Sequence, residues 1–207
     1  MAKSTRAPAA SADLDRLAAE AAGCQACELW RNATQTVFGR GPAHARLFLI
    51  GEQPGDQEDR AGAPFVGPAG RILDGALADA GLQRDEVYVT NAVKHFKWTA
   101  KGKRRIHQRP SATEVAACNR WLSAELAAVD PAVVVVLGAT AGQALYGSRF
   151  RVGTARGQVL DLDGRPVVAT IHPSAVLRVQ EPADRDAQYC GLVADLGRAA
   201  ELDKENR

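Results

Sequence analysis

The segment Gly-Glu-Gln-Pro-Gly-Asp-Gln-Glu-Asp at residues 51–59 places four carboxylates directly after the apolar run at residues 47–50. In open α/β sheets, loops at the carboxyl ends of the strands form the ligand-binding edge. The segment has too few glycines and too much negative charge to bind phosphates as a P-loop or a dinucleotide fingerprint does. We therefore expect Glu52, at the strand exit, to face a ligand that is uncharged, or cationic at its transition state.

Two further polar residues stand at comparable positions. Asn91 ends the run that starts at Val87, and His172 follows the run at residues 167–171. Taken singly, Asn91 is typical of a turn and His172 of a residue that caps a helix. Because parallel strands bring their carboxyl ends to one edge, however, we expect Glu52, Asn91 and His172 to lie close together.

The elements that would position these residues alternate along the chain. Strand-like runs lie at residues 46–50, 87–91, 132–137 and 167–171. Helical patterns lie at residues 13–22, 69–80, 113–128, 140–146 and 183–201. Ser111 and Glu114 predict a capping box, and Asp163-Gly164 predicts a hairpin turn before the last strand. The alternation predicts an α/β fold with a parallel sheet covered by helices on both faces.

Composition is typical of a soluble globular protein, with 46% hydrophobic and 24% charged residues in a chain of 207. The first twelve residues lack the apolar region of a signal peptide. No run approaches the roughly 20 apolar residues that a membrane span needs. We expect a disordered tail at residues 1–12, one domain at residues 13–203, a cytoplasmic location and no membrane association.

Cys24 and Cys27 form a C-x2-C pair, while Cys118 and Cys190 are distant in sequence. In a cytoplasmic protein this argues against a disulfide framework. The spacing suits a metal or iron–sulfur site, because both thiolates can turn toward one centre. Redox chemistry and a chance pair remain open at this point.

Positive charge is concentrated at residues 94–109, which hold seven Lys or Arg residues and no Asp or Glu. Such a segment indicates contact with nucleic acid, and it contains His107. An exposed imidazole there is typical of a phosphate contact. It is also a competent nucleophile when a base positions it.

These motifs together resemble the uracil-DNA glycosylase superfamily, most closely its iron–sulfur branch, the family-4 enzymes. The similarity covers residues 14–196, and its motifs are residues 51–59, Pro-Phe-Val-Gly-Pro-Ala-Gly-Arg at 64–71, Thr-Asn-Ala-Val-Lys at 90–94 and His-Pro-Ser-x-x-Leu-Arg at 172–178. Lys-Arg-Arg-Ile-His at residues 103–107 resembles the X subclass (UdgX), which bonds covalently to uracil-containing DNA. The resemblance implies a three-layer α/β/α sandwich with a four-stranded parallel central sheet.

The resemblance also implies how the base is bound and expelled. Phe65 would stack on a flipped uracil, and the Asn91 amide would read its O4 and N3 edge. His172 would donate to uracil O2 and stabilise the base as it leaves as an anion. Gln53, at a position typical of the X subclass, and Asp56 would complete the substrate site.

The implied chemistry is single-turnover. Glu52 would stabilise the cationic sugar, and would orient and deprotonate His107, which attacks the deoxyribose C1′. The alternatives are a multiple-turnover enzyme that leaves a free abasic site, and a non-catalytic iron–sulfur DNA-binding module. A metal-dependent hydrolase that uses the acidic segment is disfavoured, since no histidine ligand accompanies it at short spacing.

We expect a monomer, and the resemblance implies that it binds uracil-containing DNA; the sequence leaves open whether single- or double-stranded DNA is preferred. The residues expected to contact DNA are Lys94, Lys103, Arg104, Arg105, Leu177 as an apolar wedge, and Arg178. For a [4Fe–4S] cluster, the residues that match the family's ligands are Cys24, Cys27 and Cys118, with His95 in place of a fourth cysteine. Cys190 is the rival fourth ligand.

Overall fold

Runs of Val, Leu and Ile that are buried on both faces form the strands of the central sheet, as expected where helices cover both sides of parallel strands. The computed structural model describes residues 6–207. The strands of that part of the chain are β1 (Leu47–Gly51), β2 (Val87–Asn91), β3 (Trp98–Lys101), β4 (Arg104–His107), β5 (Val133–Leu137), β6 (Val159–Leu162) and β7 (Arg165–Thr170).

The central sheet has the order β2–β1–β5–β7–β6. Four of its strands are parallel, and β6 pairs with β7 in the antiparallel direction. The expected four-stranded parallel sheet is therefore wrong by one strand, because the hairpin that turns at Asp163-Gly164 adds an antiparallel edge. Both turn residues have positive φ angles, 51° and 84°, as a tight hairpin turn requires.

The helices of the described residues are α1 (Arg6–Ala22), α2 (Asp56–Ala61), α3 (Pro68–Asp79), α4 (Ala112–Val129), α5 (Ala139–Tyr146), α6 (Val152–Ala155), α7 (Ser174–Arg178) and α8 (Pro182–Glu205), with a short 3₁₀ helix at Glu28–Arg31. The capping box of α4 is confirmed, with Glu114 N–H donating to Ser111 Oγ and Ser111 N–H donating to the Glu114 carboxylate.

The N-terminal helix starts earlier than the sequence indicates. Helix α1 begins at Arg6, so the structure has helix at residues 6–12, where a disordered tail was expected. Residues 1–5 lie outside the described part of the chain, and the expectation for them stays a prediction. Among the described helices, none is both long enough and apolar enough to cross a membrane.

Helices cover both faces of the sheet. On one face, Leu73 and Leu77 of α3 and Leu192 and Leu196 of α8 form a buried cluster with alternate strand residues. On the other face, α1, α4 and α5 pack on the remaining strand residues. The two apolar clusters fix the strands in register, with Gly51 opposite Asn91 at the carboxyl edge.

Strands β3 and β4 form a separate two-stranded hairpin that carries His107. From the sequence we expected a basic loop at this segment. The structure corrects this expectation, because the segment forms two antiparallel strands. The segment Trp98-Thr99 supplies the aromatic and β-branched residues of a strand, and Gly102 supplies the positive φ of the turn, at 59°. The lysines and arginines of the hairpin obscured this pattern.

Candidate active site

A cavity of about 630 Å³ opens at the carboxyl edge of the sheet. The ends of β1, β2 and β7 deliver Glu52, Asn91 and His172 to its wall, as predicted from the strand pattern. Phe65, from the loop before α3, and His107, from β4, complete the set. These five side chains, which come from distant parts of the chain, therefore face a common space.

Phe65 forms one flat wall of the cavity. Its ring lies 5.8 Å from that of His172, centroid to centroid. The backbone of Phe65 has a φ of 56°, a conformation that is uncommon for a bulky residue and often marks a functional site. Gly70 of α3 makes room for it, because a Cβ at Gly70 would lie 1.8 Å from the Phe65 carbonyl oxygen.

The Phe65 loop is also held at its ends. Glu58 accepts hydrogen bonds from the backbone N–H of Gly55, at 3.1 Å, and of Gly67, at 2.7 Å. Since Glu58 is buried, these charge-assisted bonds are protected from water. Glu58 thus fixes the loop and does not face the cavity as a free carboxylate.

Asn91 presents an unused acceptor. Its Oδ1 atom is buried and has no hydrogen-bond partner. Buried polar atoms are almost always paired in native proteins, so we expect this atom to accept a hydrogen bond from a bound ligand. Gly51 keeps the space around it narrow, since a Cβ there would lie 2.3 Å from Asn91 Oδ1 and 2.6 Å from Phe65 Cζ. The arrangement suits a flat ligand with a donor on its edge.

His172 is held as a neutral imidazole with a defined tautomer. Ser174 donates to its Nδ1 through the backbone N–H, at 3.2 Å, and Ser174 Oγ lies 2.8 Å from the same atom. Arg178 donates to Ser174 Oγ at 3.2 Å, which leaves the hydroxyl proton for His172. Because Nδ1 accepts, the proton of the neutral ring is on Nε2. Burial, assisted by the charges of Arg178 and His107, lowers the pKa of His172 to about 4.

His107 faces Glu52 across the cavity, with 3.6 Å between His107 Nε2 and Glu52 Oε1. Burial lowers the pKa of His107, Glu52 opposes this effect, and Arg178 adds to it. This direction favours the neutral form of the ring. The other carboxylate oxygen of Glu52 accepts a hydrogen bond from Thr140. Sequence reasoning missed Thr140, although it lies shortly after the end of β5 at Leu137, as the other site residues follow their strands.

Arg105 anchors the hairpin to α2. Its guanidinium pairs with Asp56 and with the buried Asp59, and it lies 5.3 Å from the ring centroid of Phe96. The expected DNA contact of Arg105 is wrong, because its side chain is only 14% exposed and is bound to these carboxylates. Asp56 lines the cavity, but its carboxylate pairs with Arg105 and Arg60. Its expected role in substrate binding is thus not supported.

Gln53 binds the open end of the β3–β4 hairpin, where the two strands start and finish. Its Oε1 accepts from Lys97 N–H at 3.1 Å, and its Nε2 donates to the carbonyls of Lys97, at 3.2 Å, and Gln108, at 3.0 Å. Both ends of the amide are engaged in these contacts, while the residue also lines the cavity, so substrate binding by Gln53 stays a prediction. Together Gln53 and Arg105 hold β4, and with it His107, against the cavity.

The remaining basic residues divide into buried and exposed groups. The expected DNA contact of Lys94 is wrong, because its side chain is 1% exposed and forms a buried ion pair with Glu125 at 2.5 Å. Lys103 and Arg104 are exposed near the hairpin turn. Leu177, 48% exposed, and Arg178 lie on α7 at the cavity rim. For these four residues, DNA contact stays a prediction.

Three cysteines lie in one small apolar cluster between α1 and α4. Trp121 Nε1 donates to Cys24 Sγ at 3.1 Å, and the backbone N–H of Lys94 donates to Cys118 Sγ at 3.2 Å. Burial raises the pKa of the Cys118 thiol to about 11. The nearby thiols of Cys27 and Cys24 add to this increase. Within residues 6–207, however, no group of three or more Cys, His, Asp or Glu side chains is arranged to hold a metal ion.

His95 and Cys190 differ in their placement. His95 is buried, and its Nε2 lies 2.9 Å from Thr36 Oγ1, whose proton goes to the Ala21 carbonyl. Cys190 is exposed on α8, in the helical layer on the opposite face of the sheet from the cysteine cluster. The rival fourth ligand is therefore too remote to join the other three cysteines.

Comparison with known proteins places this geometry in a family. The chain is 38% identical over 157 residues to the type-4 uracil-DNA glycosylase of Thermotoga maritima, an alignment that covers 75% of this chain and 78% of that protein. It is 34% identical over 189 residues to the type-4 uracil-DNA glycosylase of Archaeoglobus fulgidus, which covers 86% and 92%. The family model described as "Uracil DNA glycosylase superfamily" matches residues 38–197. The chain therefore belongs to the uracil DNA glycosylase superfamily.

Proposed function

We propose that the protein is a uracil-DNA glycosylase of the X subclass, which excises uracil from DNA and becomes attached to the deoxyribose C1′ through His107. The names of its relatives support uracil excision. The observation that carries the covalent step is the position of His107, which faces Glu52 in the cavity that also holds Phe65, Asn91 and His172.

In this proposal the cavity reads the uracil through stacking and hydrogen bonds. The base lies against the Phe65 ring, and its N3–H donates to the unpartnered Asn91 Oδ1. Such pairing restores the hydrogen bonds that the base loses when it leaves the DNA stack. The Nε2–H of neutral His172 donates to uracil O2.

Bond cleavage and capture then balance without a further reactant. The electron pair of the C1′–N1 bond leaves with uracil, and His172 stabilises the resulting anion. Glu52 stabilises the cationic sugar. One ring nitrogen of His107 gives its lone pair to C1′, and the proton on the other nitrogen passes to Glu52. The product is an uncharged N-alkyl imidazole, a poor leaving group, so that hydrolysis stalls.

The second candidate is a turnover enzyme that leaves a free abasic site, which the type-4 names of the relatives favour. The two are separated by incubating the protein with a labelled uracil-containing oligonucleotide, boiling it in SDS and running a denaturing gel. A slow band that is absent with a thymine control is expected. Strand cleavage after alkali without a slow band would establish turnover instead.

The pH dependence should differ between the two steps. Protonated His107 has no lone pair, and its lowered pKa means that adduct formation declines only below the ordinary histidine value of about 6.5. His172, with a pKa of about 4, stays neutral over that range, so uracil release should persist. Single-turnover rates of adduct formation and uracil release between about pH 8 and 5 test this. Parallel loss of both would contradict it.

Removing the hairpin anchor should slow capture. In Arg105→Gln, Asp56 and Asp59 lose their shared partner, and His107 is no longer held against Glu52. Because misplacing a reacting group by about 1 Å can cost about 100-fold, adduct formation is expected to fall by about 10- to 100-fold. Arg104→Gln, at the exposed neighbouring position, is the matched control. It should change the salt dependence of DNA binding and leave capture intact.

We also propose that Cys24, Cys27, Cys118 and His95 hold a [4Fe–4S] cluster. The N–H groups that point at two of the sulfurs suit thiolate ligands, and a cubane cluster separates its ligands more widely than a single ion does. The cluster would link α1 to the segment that follows β2. It has a structural task in this proposal, and no step of the reaction passes through it.

His95→Ala should lower the iron content of the purified protein and its visible absorption, because a ligand is lost. Cys190→Ala, at the exposed cysteine of α8, is the control and should retain both. Iron content that is unchanged in His95→Ala would exclude His95 as a ligand. The monomeric state and the cytoplasmic location stay predictions.

A further inference from the structure

We infer that Thr140 is a positioning residue, which aims the Glu52 carboxylate at His107. This inference rests on the proposed function, since it concerns the capture step. It begins from an asymmetry in the site: one oxygen of Glu52 faces His107, and the other accepts a hydrogen bond from the Thr140 hydroxyl.

The hydroxyl of Thr140 is committed to this bond. The side chain is 3% exposed, and Glu52 Oε2 is its hydrogen-bond partner in the described part of the chain. Thr140 is β-branched, so that few side-chain rotamers are open to it. A buried donor of this kind restrains a carboxylate better than water does, because it does not have to be ordered when the substrate binds.

The backbone beneath Thr140 is fixed by the core. Helix α5 starts at Ala139, directly after β5, and the N–H of Gly138 donates to the carbonyl of Thr170 at 2.8 Å. Gly138 has a φ of 92°, which favours glycine, and a Cβ there would lie 3.1 Å from the His172 Cβ. The start of α5 is thus packed against β7, and Thr140 is carried by rigid elements.

Glu52 itself is attached at a different point. It follows β1, and its backbone carbonyl accepts from Val93 N–H at 3.0 Å. The backbone therefore fixes where the side chain starts, and the Thr140 hydroxyl fixes where it ends. His107 is carried by a third element, the β3–β4 hairpin, which lies outside the central sheet. With the carboxylate held in advance, only the His107 ring must adjust to close the 3.6 Å separation in the complex with DNA.

The inference is tested by single-turnover assays of Thr140→Val, Thr140→Ser, Glu52→Gln and the double variant Thr140→Val/Glu52→Gln. Valine keeps the shape and removes the hydroxyl, whereas serine keeps the hydroxyl. Uracil release and adduct formation are followed separately on the same labelled uracil-containing oligonucleotide. Thermal denaturation of each variant reports on folding.

Thr140→Val is expected to slow adduct formation by about 10-fold or more, the effect of one hydrogen bond to a charged group, and Thr140→Ser should restore it. In the Glu52→Gln background, Thr140→Val should have little further effect, because a residue that acts through Glu52 has nothing left to position. A purely structural role would instead give losses that multiply in the double variant.

Two results would overturn the inference: full adduct formation in Thr140→Val, or a loss in that variant that is as large with Glu52→Gln as without it. Failure of the proposed function looks different, since the wild-type protein would then form no adduct. In that case the same double-mutant cycle, measured as the rate of uracil release, still tests whether Thr140 acts through Glu52.

Discussion

His107→Ser is expected to form no adduct that survives boiling in SDS, while uracil is still released. Serine has no ring nitrogen to attack C1′, and its short side chain does not reach as far into the cavity as the imidazole does. Deletions of a nucleophile lower its reaction by up to about 10⁶-fold, so this is the largest effect that the structure predicts. The smaller side chain also leaves room for water near Glu52, and a free abasic site is the expected product.

His44→Ser is the matched control for this variant, because His44 is exposed and lies outside the cavity. It should crosslink as the wild-type protein does. The product of His107→Ser is identified by alkaline cleavage of the labelled strand. An adduct that persists in His107→Ser would assign the nucleophile to another residue and reduce His107 to a phosphate contact.

His172→Ala is expected to lower uracil release by about 100- to 1,000-fold, the usual effect of removing one donor to a developing anion. Adduct formation should fall with it, because capture follows release. Binding of uracil-containing DNA should change little, since the basic surface and Phe65 remain. Release of labelled uracil under single-turnover conditions measures the effect.

His172→Gln is the informative companion, as it returns a neutral donor near the position of Nε2–H. Partial recovery of release in this variant is expected if donation, and not the ring itself, is what His172 supplies. Equal release in His172→Ala and the wild-type protein would remove His172 from the mechanism and assign stabilisation of the leaving base to another group.

Much of the fold was predictable because its signals are local. Strand-end residues such as Glu52, Asn91 and His172 share a cavity for a topological reason: parallel strands finish at one edge. The predicted cavity residues were confirmed in their placement, and their chemical roles stay predictions. The hairpin that turns at Asp163-Gly164 was predicted from its turn residues, and the structure pairs its first strand, β6, with β7. The four-stranded expectation came from the resemblance and did not count this strand.

The differences at the site share one cause, which is that the type of a side chain does not reveal its partner. Lys94 and Arg105 belong to a segment that is basic in sequence, yet one is buried against Glu125 and the other against Asp59. Gln53 lines the cavity, yet its amide is bound to the backbone of the hairpin. Thr140 was missed because a threonine at the start of a helix carries no chemical signature until its neighbours are known.

The hairpin that bears His107 shares no strand pairing with the central sheet. Its ties to the rest of the protein are a few side chains, chiefly Gln53 and Arg105. In evolutionary terms, such an appendage can be acquired, altered or lost by small insertions and deletions without disturbing the hydrophobic core. On the proposed function, a turnover glycosylase and a protein that traps itself on DNA would then differ chiefly in this short segment, and the same segment would be the natural unit to transplant between scaffolds.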